Sequence, residues 1–405
     1  MNAPLHTPTY AKGHTPWSLV LLLGALTAFG AVSIDLYLPA LPAMGRDLHA
    51  SASQAQASLS SFFAGMAIGQ FIYGPASDRR GRRTPMLVGI GIYLFASVLC
   101  ALSVSPGMLI GARFVQALGA CAGGLIARAV VRDHFDHQDT ARVLSLLTLV
   151  MGVTPMVAPM IGAMILGLGW RANFWVMTAF GVVLAVWTIL GLKESRHEDH
   201  QRLARTETPF AAYRALGLNP RLIGYVLTGS LNGAALFTYI AASPDLIIGT
   251  YGFPAKSFGL VFAINAAGLI GCSQVNRYLL QKHTTDQVLS VASKAGALVA
   301  VALAIAAFTG WGGAWTVLPC VFAALSTYGF MQANTVAGAL SIDPHRAGAI
   351  SAILGAGSFG AGALVSGVAG LLHDGTARPL AGAVLVSMLA SSAALHGLAH
   401  RRARS

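Results

Sequence analysis

The sequence predicts an all-α polytopic membrane protein with twelve transmembrane helices in two six-helix halves. Three observations carry that prediction. The 405 residues are 55% hydrophobic and only 10% charged, with a mean hydropathy of +0.66, whereas a soluble domain is about 25% charged. Runs of about 20 apolar residues, each long enough to cross a ~30 Å hydrocarbon core as a helix, recur along the chain. One long polar segment divides these runs six and six.

In order, the first residues, MNAPLHTPTYAKGHTP, are polar and hold no cleavage site, so the first apolar run reads as a retained span rather than a signal peptide. The spans of the first half are Trp17 to Leu38, Gln56 to Ala76, Pro85 to Ser103, Gly107 to Val130, Ala141 to Leu166 and Ala172 to Leu192. Those of the second are Leu222 to Ile247, Ser257 to Tyr278, Gln287 to Phe308, Ala314 to Leu340, Ala347 to Leu372 and Leu380 to Leu398. Between them, Lys193 to Arg221 is the longest polar stretch. The predicted domains are therefore 1–192, a linker at 193–221, and 222–405.

Lys and Arg near the span ends set the orientation. One side receives Lys12, the cluster DRRGRR, Arg128, Arg132, Arg142, the linker, Arg277, Lys282, Arg346 and the terminal RRARS; the other receives Arg46, Arg171, Lys256 and Arg378. The asymmetry is about fivefold and predicts that both termini are cytoplasmic. It also accounts for the net charge of +12, which no zinc spacing or arginine-rich arm assigns to nucleic acid. Cys100, Cys121, Cys272 and Cys320 all fall within apolar runs without ligand spacing, which predicts neither disulfides nor a metal site. A weak repeat relates the halves: Asp78-Arg79 is echoed by Asn276-Arg277, and Arg142 by Arg346.

The turn GPASDRRGRRTP, Gly74 to Pro85, joins the second and third spans. Glycines permit its reversal, and Asp78 offers a carboxylate to an Arg or a helix N-terminus. A positive-inside loop explains the arginines but not the spacing of Gly74, Asp78, Arg79, Gly81, Arg82 and Arg83. That spacing resembles the signature loop of the major facilitator superfamily. The likeness extends to its Bcr/CflA group of drug:proton antiporters in SIDLYLPALPAM, GQFIYGPASDRRGRR, RFVQALGA, ARAVVRD, TPMVAPMIGAMI, WRANFWV and HRAGAISAILGAGSFGAGA. The resemblance implies a bacterial inner-membrane exporter of the bicyclomycin and chloramphenicol type, with Asp78 and its arginines as a cytoplasmic gate. Ala76 and Arg80 depart from the family's usual apolar residues.

Two ions stand deep inside spans, whereas Lys294, some seven residues into the ninth span from the cytoplasm, can snorkel back. Asp35, in SIDLYLPALP, lies four residues inside Pro39, and Arg113 lies seven residues inside Pro106. At 1.5 Å per residue these are depths of roughly 6 and 10 Å. Intramembrane ions are costly and usually functional. The resemblance implies that the first and fourth helices line a central cavity, so Asp35 and Arg113 are expected to be charge partners that couple proton and drug. A carboxylate responds to pairing and to desolvation in opposite senses. The alternative is that each snorkels separately to the interface.

Other polar groups are less specific. Tyr37, Gln116, Asn232, Tyr239, Asn265 and Asn334 are candidates for a mixed polar and aromatic substrate surface, or else for helix-to-helix hydrogen bonds. Asp245 reads as interfacial. Pro155, Pro159 and Gly162 bend and thin the fifth span and resemble an antiporter motif in which Ala158 and Ala163 replace glycines; close packing against the other half is expected. GACAG, Gly119 to Gly123, spells a nucleophile elbow but lies mid-helix, away from the strand-to-helix turn that motif needs.

The predicted function is proton-coupled export of small, partly apolar compounds by alternating access. It needs no cofactor beyond the proton gradient, and its partners are substrate, protons and lipid, with the monomer functional and no nucleic acid bound. A narrow exporter of one metabolite is the rival. An intramembrane enzyme finds no metal triad, Ser/His/Asp set or paired acids in its favour.

Overall fold

A computed structural model describes residues 17–135, 137–195, 216–217, 219–343 and 346–399. Most of the predicted linker and both predicted cytoplasmic termini lie outside the described residues. Among those described, twelve long helices and no strand occur. The first group is α1 (Trp17–Asp35), the short α2 (Leu41–Asp47), α3 (Ala52–Arg80), α4 (Arg83–Ala101), α5 (Pro106–His134), α6 (His137–Ile165) and α7 (Arg171–Gly191). The second is α8 (Pro220–Pro244), α9 (Ala255–Leu279), α10 (Thr285–Thr309), α11 (Ala314–Leu340), α12 (Ala347–Leu371) and α13 (Arg378–Ala394). Successive long helices run antiparallel. The end where α1 begins and α13 finishes is here the proximal end, and the opposite one the distal end.

Helices start where the sequence supplies caps. Ser51 with Gln54 and Thr284 with Gln287 form capping boxes that open α3 and α10. Ser105 and Asn219 cap α5 and α8, each with a proline in the first turn, where no N–H is required. Helix α1 stops at Asp35, short of the predicted Leu38. Pro39 lacks the N–H that would donate to the Asp35 carbonyl and continue the ladder, and a 3₁₀ turn at Leu38–Ala40 follows instead. At their proximal ends α3 and α5 outrun the predicted spans, because hydropathy marks the hydrocarbon thickness rather than the last helical residue.

Among the described residues, eleven helices are long and apolar enough to cross a membrane. The remaining one, α3, is as long as any at 29 residues but more polar. Its polarity is spent on the seam between the groups: Gln56 Nε2 donates to the Ser366 carbonyl of α12 at 2.8 Å, and the Ser60 and Ser366 hydroxyls lie 2.7 Å apart. Beneath them Phe63 meets Phe237 of α8 at 4.8 Å between ring centroids, and Phe237 stacks on Phe359 of α12 at 4.7 Å. Helix α6 against α9 makes the second seam. Within each group the helices pack on one another, α5 centrally in the first and α8 in the second. The suspected repeat has a geometric echo: Arg142 pairs with Asp139 and Arg346 with Asp343, each three residues earlier.

Candidate functional site

The polar centre of the first group is built around Arg113, which is fully buried on α5. Its Nη1 donates to the Ser33 carbonyl of α1 at 3.0 Å and to Gln116 Oε1, one turn along α5, at 2.6 Å. The guanidinium lies 4.3 Å from the Phe62 ring centroid, 4.9 Å from Tyr37 and 5.8 Å from Phe174. Such desolvated cation–π contacts contribute about 2 kcal/mol. Nε and Nη2 of Arg113 have no hydrogen-bond partner among the described residues. Gln116 passes the network on, its Nε2 donating to Ser97 Oγ at 2.8 Å, and Ser33 Oγ lies 2.8 Å from the Tyr93 hydroxyl. Tyr37 shares a hydrogen bond with Ser58 at 3.2 Å.

Asp35, only 3% exposed, is the last residue of α1. The expected ion pair with Arg113 is not formed: among the described residues nothing pairs with or donates to the Asp35 carboxylate. Arg113 instead takes the backbone carbonyl two residues earlier. Helix α1 presents Ser33 O toward α5, and the guanidinium satisfies that acceptor and Gln116 while its faces are covered by rings. Neither ion snorkels, since both are buried within the bundle.

The other surface candidates divide between the groups. Tyr37 and Gln116 belong to the Arg113 cluster. In the second group Asn265 Nδ2 donates to the Tyr239 hydroxyl at 2.6 Å, and Asn334 Nδ2 to Asn276 Oδ1 at 2.8 Å. These are helix-to-helix bonds, α9 to α8 and α11 to α9. Asn232, mid-way along α8 and 1% exposed, leaves both amide atoms unpartnered among the described residues.

At the proximal end the charged turn is a clamp. Arg82, 4% exposed, donates from Nε to Asp133 Oδ2 at 2.7 Å and from Nη1 to Asp78 Oδ1 at 2.9 Å and Ser77 Oγ at 3.0 Å. Burial alone would lower the Arg82 pKa, but the bond and charge of Asp133, then Asp78, outweigh it and hold the guanidinium above its ordinary value. Glu194, past α7, accepts from the backbone N–H of Arg82 at 2.7 Å and of Arg83 at 3.2 Å, an anion at the start of α4 as the helix dipole favours. Arg83 Nη2 reaches the Ile189 carbonyl at 2.8 Å. Gly81 has a φ of +83°, a backbone conformation that favours glycine, and it sits against the Glu194 carboxylate. Arg79 sits half-buried on the last turn of α3, and Gly74 has open space where a Cβ would be. The clamp thus ties α3, α4, α5 and α7. Asp133 and Glu194 were missed from the sequence, though ARAVVRD holds the first.

Helix α6 runs unbroken through Pro155 and Pro159. Gly162 meets α1 rather than the second group: a Cβ would fall 2.0 Å from the Leu36 carbonyl. The expected contact with the other half uses a different face, Gly152 against Ile270 and Met160 against Gly259 of α9. At the distal end WRANFWV supplies a clasp. Asp47 Oδ2 accepts from Trp170 Nε1 at 2.9 Å and Arg171 Nη1 at 2.5 Å, and Arg171 Nη2 bonds the Ser103 carbonyl. The Trp170 and Arg171 bonds hold the Asp47 carboxyl below its usual range.

The Major Facilitator Superfamily profile matches residues 21–367. The uncharacterized MFS-type transporter YdgK of Bacillus subtilis is 33% identical over 98% of both chains. The bicyclomycin resistance protein homolog of Haemophilus influenzae is 28% identical over 92% of this chain and 94% of its own. Among solved structures, a bacterial homolog of the human lysosomal transporter Spinster, inward-facing and unoccupied, superposes with a TM-score of 0.71 at 16% identity, covering 95% of each chain.

Proposed function

The chain belongs to the Major Facilitator Superfamily of membrane transporters, and from that premise we propose that it exports drugs or other small, partly apolar compounds in exchange for protons. The twelve helices act as two rocking halves, 1–192 and 222–405, joined by 193–221, with the proximal end in the cytoplasm of a bacterial cell and the protein working as a monomer in the inner membrane. The positive charge at the proximal end supports that orientation. The likeness to the Haemophilus bicyclomycin resistance protein homolog supports a drug as cargo.

The observation that carries the reading is Asp35: a buried carboxylate at the end of α1, without a counter-ion among the described residues, two residues from the carbonyl that Arg113 holds. A proton cancels its charge without moving the chain, and an intramembrane charge left bare is costly. Asp35 is the proton carrier, and Arg113 is the residue that registers its state through α1. Substrate enters between the groups and competes with the proton. The Asp78 clamp keeps the proximal ends of α3, α4, α5 and α7 together as the halves rock.

The test is an efflux panel in a host lacking its own pumps. Wild-type protein is expected to lower accumulation of several unrelated compounds and to exchange them for protons in proteoliposomes. Asp35→Asn is expected to reach the membrane and do neither. Undiminished proton-driven efflux by that variant would sink the assignment.

A further inference from the structure

The distal rim holds an acid–base pair that this coupling scheme does not use. Asp245 opens a π-helical turn, Asp245–Thr250, that finishes α8. Its Oδ2 lies 2.6 Å from Nε2 of His373, in the loop leaving α12. Turns of this kind are rare and recur at functional positions. Gly249 on the same turn keeps space for the acid, since a Cβ there would stand 2.9 Å from Asp245 Oδ1. The pair is open to the distal compartment, with side-chain exposures of 26% for His373 and 41% for Asp245.

Its position gives it leverage. Asp245 and His373 line a small cleft with Gln56 of α3, the residue that donates to the Ser366 carbonyl across the seam. A Cβ on Gly370 would touch the Gln56 amide at 3.2 Å. Residues 366, 370 and 373 follow one another along one face of α12 and its exit. The first two hold α3 of the first group, and the third holds α8 of the second. The distal end of α12 is thus pinned on both sides, and the short helix α2 packs over the π turn.

We propose that Asp245 and His373 form a proton-responsive latch: a proton arriving from the distal compartment converts their hydrogen bond into an ion pair and stabilises the state in which the distal seam is closed. This rests on the alternating-access reading above and adds to it a second titrating site, distinct from Asp35. A latch that tightens when a proton is available on the distal side closes that side behind the entering proton, the order that inward proton flux requires. Histidine is the side chain whose charge changes near neutrality, and the ion pair exists only while His373 is protonated and Asp245 ionised.

The other titratable or charged groups on the surrounding elements have separate places. Asp374 accepts from Thr376, and Arg378 begins α13 on the same loop. Arg46, Asp47 and His49 lie on α2 and the turn after it, Asp47 being held by Trp170 and Arg171. Tyr251 follows the π turn, and Lys256 begins α9. His49 is therefore the natural control histidine.

The test reads conformation, so it needs no transported compound. Val104 and Trp311, both exposed at the distal end of opposite groups, are replaced by Cys and spin-labelled in protein otherwise free of cysteine, in nanodiscs. Lowering the pH from about 8 to about 5.5, across the ordinary histidine range, is expected to raise the ratio of short to long distances about fivefold in the wild type. His373→Gln is expected to abolish that response and His49→Asn to keep it. Asp245→Asn, which removes the acid, stands in if His373→Gln does not purify as a monodisperse protein. No pH response in the wild type, or a full response in His373→Gln, overturns the latch. If instead the latch responds while no compound is ever exported, the export reading fails and the latch stands.

Discussion

Nη1 of Arg113 lies 3.0 Å from the carbonyl oxygen of Ser33, so α5 is bonded to the backbone of α1 two residues before Asp35. The arginine therefore senses the end of α1 through main chain rather than through the acid. Lysine at 113 keeps a charge but gives up the planar fork that reaches Ser33 and Gln116 while lying against Phe62 and Tyr37. Arg113→Lys is expected to cut transport about thirtyfold, the kinetic equivalent of about 2 kcal/mol of desolvated cation–π contact. Its amount in the membrane, measured by immunoblot, should be unchanged. Wild-type export rates by that variant would make the Ser33 bond dispensable.

The proximal clamp yields a ranked pair. Arg82 is nearly fully buried, Asp133 is 14% exposed at its side chain and Asp78 48%. Removing the better buried partner leaves the buried Arg82 with only the half-exposed Asp78, at a cost of up to about 3 kcal/mol, whereas a half-exposed pair is worth about 0–1 kcal/mol. Thermal unfolding in detergent should therefore drop much further for Asp133→Asn than for Asp78→Asn. Equal losses would mean that Asp78 carries more of the clamp than its exposure allows.

Helix existence was legible because apolar runs of membrane length have one physical solution, a hydrogen-bonded helix. Even α3, which is more polar than the other long helices, carries an apolar run from Gln56 to Ala76 that marks it as a span. The turn from Gly74 to Arg83 was legible for its spacing, but its partners Asp133 and Glu194 come from 51 and 112 residues beyond Arg82, and no local pattern announces them. Asp35 and Arg113 were visible as anomalous charges. That they do not pair could not be read, because Ser33 competes for the guanidinium with a backbone carbonyl, and carbonyls are the same in every residue. His373 was invisible for a related reason: a histidine in a polar loop looks ordinary until a fold sets it against Asp245.

The distal clasp predicts an acid limb of stability. The folded-state pKa of Asp47 is lowered, first by the Trp170 bond and then by Arg171. A lowered carboxyl contributes stability above its unfolded value, 3.8 for this group, and loses it as pH falls through that value toward the folded one. Wild-type melting temperature, followed by intrinsic fluorescence, is expected to decline below about pH 4, and Asp47→Asn to flatten part of that decline. An identical acid limb in the variant would remove Asp47 from the account. Because the group is exposed, the flattening should shrink at high salt.

Gly74 and Gly162 both stand in motif-like stretches, yet their surroundings differ. A Cβ at position 162 would fall 2.0 Å from the Leu36 carbonyl, a backbone atom held between α1 and the 3₁₀ turn that cannot retreat alone. A Cβ at position 74 would meet nothing within 4 Å. Overpacking of a close helix contact costs about 1–3 kcal/mol, while an open helical glycine replaced by alanine gains up to about 1 kcal/mol. Gly162→Ala is thus expected to melt several degrees below the wild type and to export poorly, since the strain falls directly beside Asp35. Gly74→Ala should melt at or above the wild-type temperature. If it melts lower despite its open surroundings, the glycine of the signature turn serves another conformation of the transporter, one in which the proximal ends approach more closely than they do here.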